Sequence, residues 1–235
     1  MFHKEIKIFG KKVLLTMRNE GDYAIAHELF LDHQYKYCDE VIHNAKHAVI
    51  DIGGHLGFFS LYASLLNSGV PIYCFEPHIG NFALLKENLK NNRVRNVTAK
   101  NLAVSNKIGE AELFLSKEDL NHSIVCAIEP TDEVQKIQTI TLEKILDRHN
   151  IGQCDLLKID CEGAEFAILE DSPQKVFDKV SHIFLEYHDW AASYGGQVTG
   201  ENHRRLKKFL EAHGYKVEDY PNSKMKELGF LWCRR

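Results

Sequence analysis

Apolar positions along the chain fall into two periods. Ala48-Val49-Ile50 is a short apolar run, and Phe58, Leu61, Tyr62, Leu65 and Leu66 repeat at the spacing of a helix stripe. Between them stands Asp51-Ile52-Gly53-Gly54-His55-Leu56-Gly57. The pattern predicts a strand, a glycine-rich turn and a helix. Further strands are expected near 72–76, 97–101, 155–160 and 182–187, with helical stretches between them. Such alternation predicts an α/β fold: a mostly parallel sheet with helices on both faces.

The rest of the pattern is less regular. Residues 6–15 read as a β-hairpin around Gly10-Lys11, and 22–42 as an aromatic-rich helical segment with Tyr23, Phe30, Tyr35 and Tyr37. Glu110-Ala111-Glu112-Leu113-Phe114-Leu115 alternates and predicts a strand outside the main order. Ile137-Gln138-Thr139-Ile140 reads as a short strand, after which Thr141 caps a helix over 142–149. A helix over 201–213 carries Leu206, Phe209 and Leu210 on one face and stops at Gly214. Residues 215–220 and 230–233 then form an antiparallel hairpin closing the sheet. The expected division is 1–44 as an N-terminal hairpin and helical cover, and 45–235 as the main domain.

Two features point to a nucleoside ligand. Glycines in a turn let a ligand approach the backbone. Glu76 ends the next strand, about 20 residues after the turn, where this kind of fold holds a ribose hydroxyl. A dinucleotide needs G-x-G-x-x-G, so that a helix N-terminus cradles a pyrophosphate. Here the order is D-x-G-G-x-x-G. The charge of Asp51 near the turn disfavours a pyrophosphate and suits a cation, such as an ammonium or a sulfonium. A nicotinamide dehydrogenase is thereby disfavoured.

Composition narrows the class. With 235 residues and 44% hydrophobic content, one sizeable core is the default. A net charge of −4 argues against a nucleic-acid surface built on bulk charge. The basic pairs Arg204-Arg205, Lys207-Lys208 and Arg234-Arg235 read as helix faces and a terminus. Cysteines at 38, 74, 126, 154, 161 and 233 form no C-x-x-C and read as buried free thiols of a reducing compartment. The first residues show no apolar leader, and no run reaches the roughly 18 apolar residues of a membrane span. A cytoplasmic location is the expectation. No sign of an oligomeric state stands in the sequence.

Three segments carry a family resemblance. The turn at 51–57 resembles motif I of class I S-adenosylmethionine-dependent methyltransferases, with His55 where a small residue or Asn is usual. Phe75-Glu76-Pro77 with the helix after it resembles the F-x-E-P segment of FkbM-type methyltransferases. Leu157-Lys158-Ile159-Asp160-Cys161-Glu162-Gly163-Ala164-Glu165 resembles that family's K-I-D-x-E-G-A-E segment. The likeness covers roughly residues 45 to 190. It implies a Rossmann-like class I fold with a seven-stranded sheet, and S-adenosylmethionine as cofactor. It also implies methyl transfer, most often to a hydroxyl of a sugar, glycan or secondary metabolite. On this reading Asp51 orients the methionine end of the cofactor, Gly53, Gly54 and Gly57 let the cofactor approach the backbone, and His55 and Phe58 belong to the same binding turn. Asp51 acts directly or through turn amides. Glu76, with Pro77 beside it, takes both ribose hydroxyls. Asn101 and Ala103 lie where related folds contact adenine, and Asp160 ends the fourth strand against the cofactor.

Methyl transfer to an alcohol needs alignment and removal of the hydroxyl proton. Asp160, Glu162 and Glu165 crowd the end of the fourth strand. Glu165 can instead serve the first turn of the next helix, where negative charge suits the dipole. By strand alternation Glu186 and His188 share one side and Tyr187 takes the other. His188 suits a general base near neutral pH, with Glu186 orienting it or binding the acceptor. Asp160 is the leading acceptor-side carboxylate, and Glu162 follows. His55 is a second base candidate, or a wall of the pocket. Asp160, Glu162, Glu186 and His188 can together hold Mg²⁺ or Mn²⁺. The metal-free form is favoured, because one imidazole and scattered carboxylates are a loose ligand set. The acceptor pocket is expected from the leader, the 116–136 segment and the 189–200 loop. Two other readings stay open. One is an RNA or DNA base methyltransferase, against which Ile159-Asp160-Cys161-Glu162 stands where an N/D-P-P-Y/F segment would be. The other is a module that binds the cofactor without catalysis.

Overall fold

The computed structural model describes residues 1–117, 122–125, 130–189, 203–225 and 227–235. At the N-terminus β1 (Phe2–Ile8) and β2 (Lys11–Met17) pair antiparallel. The turn is Phe9-Gly10, both with positive φ, one residue earlier than the pattern suggested. The expected helix over 22–42 is broken into α1 (Glu20–Phe30), a 3₁₀ turn (Lys36–Cys38) and α2 (Asp39–Asn44). Asn19 caps α1 by accepting from the Asp22 amide at 3.0 Å. The break follows α1, where His33 takes a left-handed φ of 53° and the Gln34 amide folds back to the Glu28 carbonyl.

The motif segments then alternate as expected: β3 (Val49–Ile52), α3 (Phe58–Leu66), β4 (Ile72–Phe75), α4 (Ile79–Asn91) and β5 (Val97–Lys100). A separate three-stranded sheet follows, with β6 (Ala103–Val104), β7 (Gly109–Ser116) and β8 (Pro130–Ile140) in the order β6-β8-β7. β8 is longer than the expected 137–140, because its first half pairs antiparallel with β7. After α5 (Leu142–Arg148), capped by Thr141 as expected, come β9 (Leu156–Ile159), α6 (Glu165–Glu170), α7 (Gln174–Phe177) and β10 (His182–His188). The chain ends with α8 (His203–Ala212), β11 (Lys216–Pro221) and β12 (Leu228–Arg234).

The main sheet has seven strands in the order β11-β12-β10-β9-β3-β4-β5. β12 is antiparallel to both its neighbours, and the other pairings are parallel. This is the mostly parallel sheet with an antiparallel C-terminal hairpin that the sequence predicts. Strand order reverses between β3 and β9. In an open α/β sheet a ligand crevice forms at such a switch, outside the carboxyl ends of the strands.

Strand alternation sorts the core into two halves. Ile50, Ile52, Leu157, Ile159, Ile183 and Leu185 pack with α5 to α8 on one face. Val49, Ile72, Leu156 and Phe184 pack with α3, α4 and the leader on the other. Asn88 of α4 fastens the hairpin to this second half. Its amide accepts from the Thr16 N–H at 2.7 Å and donates to the Thr16 and Leu56 carbonyls. Cys38, Cys74, Cys154, Cys161 and Cys233 are free thiols, and Cys126 lies outside the described residues. No helix among the described residues is long and apolar enough to cross a membrane.

Candidate active site

The glycine turn and β4 meet first. The Gly53 and Gly54 amides both donate to the Phe75 carbonyl, at 3.0 and 2.9 Å. Gly53 has φ +77°, and a Cβ there would sit 1.6 Å from the Asp160 carbonyl oxygen. Only glycine lets the end of β9 come so close. Glu76, 5% exposed, follows β4 with both carboxylate oxygens engaged. Oε2 accepts from the His55 amide at 2.8 Å and Oε1 from the His78 amide at 2.9 Å. Burial raises its carboxyl to about 7 against the opposing pull of these amides.

Beneath the turn lies a buried ion-pair row. Asp51 and Lys158 are register partners on β3 and β9, and both are buried. Lys158 Nζ stands 3.4 Å from Asp51 Oδ1 and 3.4 Å from Asp160 Oδ2, and donates to the Gly53 carbonyl at 2.8 Å. Ser60 donates to the other oxygen of Asp51 at 2.7 Å. Burial opposes the ammonium charge, but Asp160 and Asp51 outweigh it and hold Lys158 well above its ordinary value.

At the carboxyl ends of β9 and β10 an acidic corner surrounds His188. Glu165 is fully buried. Its Oε1 accepts from both the main-chain N–H and Nδ1 of His188, at 2.9 and 3.0 Å, and Oε2 accepts from the Gly163 amide at 2.9 Å. His188 Nε2 faces Glu162 Oε2 at 3.5 Å and Asp160 Oδ1 at 3.9 Å. Burial works against the imidazolium, yet Glu162, Glu165 and Glu186 raise His188 well above its usual range. Burial, with Asp160 next, likewise pushes the Glu186 carboxyl well up.

Opposite this corner the leader closes the wall. Arg18 donates to Asp22 three times, from its amide, Nε and Nη2, and its Nη2 lies 3.1 Å from His55 Nε2. Burial lowers His55 to about 4, although Asp22 pulls the other way.

These pieces enclose a cavity of about 450 Å³. Of the residues expected near a cofactor, Gly53, His55, Glu76, Pro77, Ala103 and Asp160 line it. Glu162, Glu186 and His188 line it too, on the side expected for chemistry. Asp51, Gly54, Gly57, Phe58 and Asn101 are not in its wall. Asp51 sits under the turn with Lys158, so its access to the cavity runs through the turn rather than through its carboxylate. Gly54 and Gly57 pack against Leu85, and Phe58 packs against Phe30. Asn101 donates to the Glu76 and Pro77 carbonyls at 2.8 and 2.7 Å, which braces the turn after β4. From the leader, Ile25, Leu29 and Tyr35 complete the wall, and His122 and Ile124 do so from the 116–136 segment. The 189–200 loop lies outside the described residues apart from Asp189. Met225 and Leu228 also line the cavity, and nothing in their sequence signals it. Lys158 was also missed as a site residue, although a lone cation in the apolar run Leu156-Leu157-Lys158-Ile159 was its signal.

Asp160, Glu186 and His188 place donor atoms within 4.8 Å of one another. It is a loose set for a metal ion: one carboxylate is tied to Lys158, and Nδ1 of the single imidazole is taken up by Glu165.

The chain resembles known proteins over the same segments. The family described as "Methyltransferase FkbM domain" matches residues 51–217, more than half of the chain. A Beauveria bassiana protein named "Methyltransferase 1" is 25% identical over 188 residues, with 72% of each chain covered. The 31-O-demethyl-FK506 methyltransferase FkbM of Streptomyces tacrolimicus is 23% identical over 199 residues, again with 72% of each covered. In fold, the chain is similar to a precorrin-6y C5,15-methyltransferase from Geobacter metallireducens. The TM-score is 0.50 at 15% identity, covering 88% of this chain and 91% of that one. The matched span opens on the glycine turn and takes in Glu76 and the β9 carboxylates, and on that ground the chain belongs to the FkbM-domain family of S-adenosylmethionine-dependent methyltransferases.

Proposed function

We propose that this enzyme methylates a hydroxyl of a small uncharged metabolite or sugar. The observation that carries the reading is the lining of the cavity. Asp160, Glu162 and Glu186 face it together, and no Lys or Arg stands among its described lining residues. A wall without lysine or arginine gives a phosphate or carboxylate acceptor no strong anchor, and its carboxylates suit removal of a hydroxyl proton. The Streptomyces tacrolimicus relative is itself named for a methylation on oxygen.

The residues present fit the cofactor. When bound, S-adenosylmethionine supplies a methyl carbon already activated by a sulfonium leaving group. Glu76 is the residue for the ribose diol, since the His55 and His78 amides fix its two oxygens at the cavity wall. Ala103 and Pro77 offer apolar surface for a flat base beside it. Asp160, held by Lys158, brings negative charge to the crevice between β3 and β9, where a sulfonium is favoured. The apolar side chains of Ile25, Leu29 and Tyr35 exclude water from the opposite wall.

Labelled S-adenosylmethionine assayed against a panel of glycans and hydroxylated metabolites tests the reading, with product analysis to locate the methyl group. Methyl transfer to nitrogen, carbon or nucleic acid alone would refute the hydroxyl assignment. Glu76→Ala should weaken cofactor binding by roughly 10- to 150-fold, since hydrogen bonds to a charged group contribute about 1.5–3 kcal/mol. Calorimetry with unchanged affinity would remove Glu76 from the ribose site. Binding of NAD in place of both sulfur nucleosides would sink the cofactor reading as a whole.

A further inference from the structure

Resting on that reading, we propose that Glu162 takes the proton of the acceptor hydroxyl, while His188 and Glu165 position it. The backbone gives the first argument. Glu162 has φ +55° and Gly163 has φ +102°. A non-glycine residue in this region is strained, and such strain persists only where neighbours impose it. Here Ser123 Oγ donates to the Glu162 carbonyl at 2.6 Å. The strained turn delivers a carboxylate, 17% exposed, into the cavity wall.

The hydrogen-bond inventory gives the second. An ionised carboxylate only accepts, so His188 Nδ1 carries a hydrogen toward Glu165. Nε2 faces the carboxyl groups of Glu162 and Asp160 at 3.5 and 3.9 Å. Carboxylates beside both nitrogens favour the doubly protonated imidazole, and a base needs a bare nitrogen. His188 is therefore a positioning residue.

The remaining carboxylates are committed. Glu165 is buried and saturated by two N–H groups of His188 and one of Gly163. Asp160 is tied to Lys158. Burial and Asp160 push the Glu186 carboxyl well up, which favours its neutral form. Among the described residues, the groups facing Glu162 are Asp160, Glu165, Glu186, His188 and Lys158, with His122 beside Ser123. Burial raises Glu162, His188 lowers it, Asp160 and Glu165 raise it and Lys158 lowers it, leaving it at about 7. A base is most effective near the working pH.

The step balances as follows. The acceptor oxygen gains a bond to the methyl carbon, and the carbon–sulfur electron pair leaves with sulfur. The O–H pair stays on the ether oxygen, and the proton passes to Glu162. One positive charge disappears at sulfur as one negative charge disappears at Glu162, so the net charge of the buried site is constant.

The test is nucleoside binding, which needs no acceptor. S-adenosylmethionine carries a charge at sulfur, and S-adenosylhomocysteine does not. By calorimetry on both sides of pH 7, wild type should favour the charged nucleoside increasingly as Glu162 ionises, by about tenfold, or about 1.4 kcal/mol. Glu162→Gln should flatten that trend, and Glu162→Asp should keep it. A Gln variant that keeps the full trend overturns the assignment. Should it fail to fold, proton release in wild type decides. At pH 7 the charged nucleoside should release more protons than the neutral one, and equal release overturns the assignment. Glu76 acts on the ribose of both nucleosides and cancels in this difference. Binding by neither nucleoside overturns the cofactor reading itself and takes this assignment with it. With an acceptor from the screen, Glu162→Gln should lower kcat by about 10²–10⁴ and leave S-adenosylhomocysteine affinity intact.

Discussion

Two histidines face one cavity, His188 buried and His55 half-buried, and their pKa values move in opposite directions. Burial disfavours the imidazolium in both. At His55 the nearest carboxylate, Asp22, is already matched by Arg18, whose guanidinium also lies against the ring. Burial, with the charges of Arg18 and Lys158, outweighs the pull of Asp22 and Asp160, and His55 falls to about 4. At His188 burial again disfavours the charge, but Glu162, Glu165 and Glu186 outweigh it, and the balance reverses. Depth therefore does not set the charge of a buried histidine. What decides is whether the neighbouring carboxylates have already been neutralised by someone else.

The hardest way to break this contrast is to remove the carboxylate that anchors His188. Glu165→Ala strands a buried cation and leaves the Gly163 amide unsatisfied. Breaking a buried pair on one side costs about 3–5 kcal/mol. For a chain of this size that lowers Tm by roughly 6–20 °C. Thermal denaturation at neutral pH checks it, and a loss below about 1 kcal/mol, the size of an average substitution, would show that His188 is held by something other than Glu165.

His55→Asn sharpens the other half. Asn tolerates the left-handed φ of 46° at this position. The folded-state pKa of His55 lies below its unfolded value, so the unfolded chain binds the proton more readily. Stability is thus lost as pH falls from 6.5 toward 4. The Asn variant escapes this loss. Its stability relative to wild type should improve by about 3 kcal/mol across that window, at 1.36 kcal/mol per pKa unit. Glu76 and Glu162, raised to about 7, add stability at low pH that is lost as pH rises through 7. Both proteins share that trend, and it cancels in the difference. Denaturant melts at several pH values decide, and a pH-independent difference would mean that His55 is charged in the fold.

The smallest effect is also the most local. Arg18→Gln frees Asp22 to act on His55, so the imidazole should titrate about one unit higher, a change of about 1.4 kcal/mol. An NMR titration of the ring reads this directly. An unmoved His55 would make burial alone the cause of its low pKa.

The sheet was legible because its signals are local. Turn glycines, apolar runs and strand-end acids mark β3, β4 and β9 without knowledge of their partners. The leader was not legible in the same way. His33 breaks the expected helix with a left-handed φ, and no glycine or proline marks the place. The first half of β8 is polar and has Val134 exposed, so its strand character comes from pairing with β7 rather than from a pattern of its own. The acidic corner was readable as a list of residues but not as a set of roles. Glu165 and Glu162 lie three residues apart, and only the turn between them sends one carboxylate into the core and the other into the cavity. Asn101 stood at the expected strand end, but its amide finds two backbone carbonyls that the fold alone brings within reach.

The ladder between β3 and β9 aligns Asp51 with Lys158. These strands are distant in sequence, so their ends must find each other against the entropy of a long loop. Four apolar residues beside four others would tolerate more than one alignment. A shift by one residue would turn one of the two charges to the opposite apolar face, and any other shift would move them apart along the strands. Each wrong alignment leaves an unpaired charge in the interior, which is far more costly than the pairing itself is favourable. The pair thus works as a key for strand alignment: it specifies which of several similar ladders the folding chain can close, and with it the one register that sets Gly53 against Asp160.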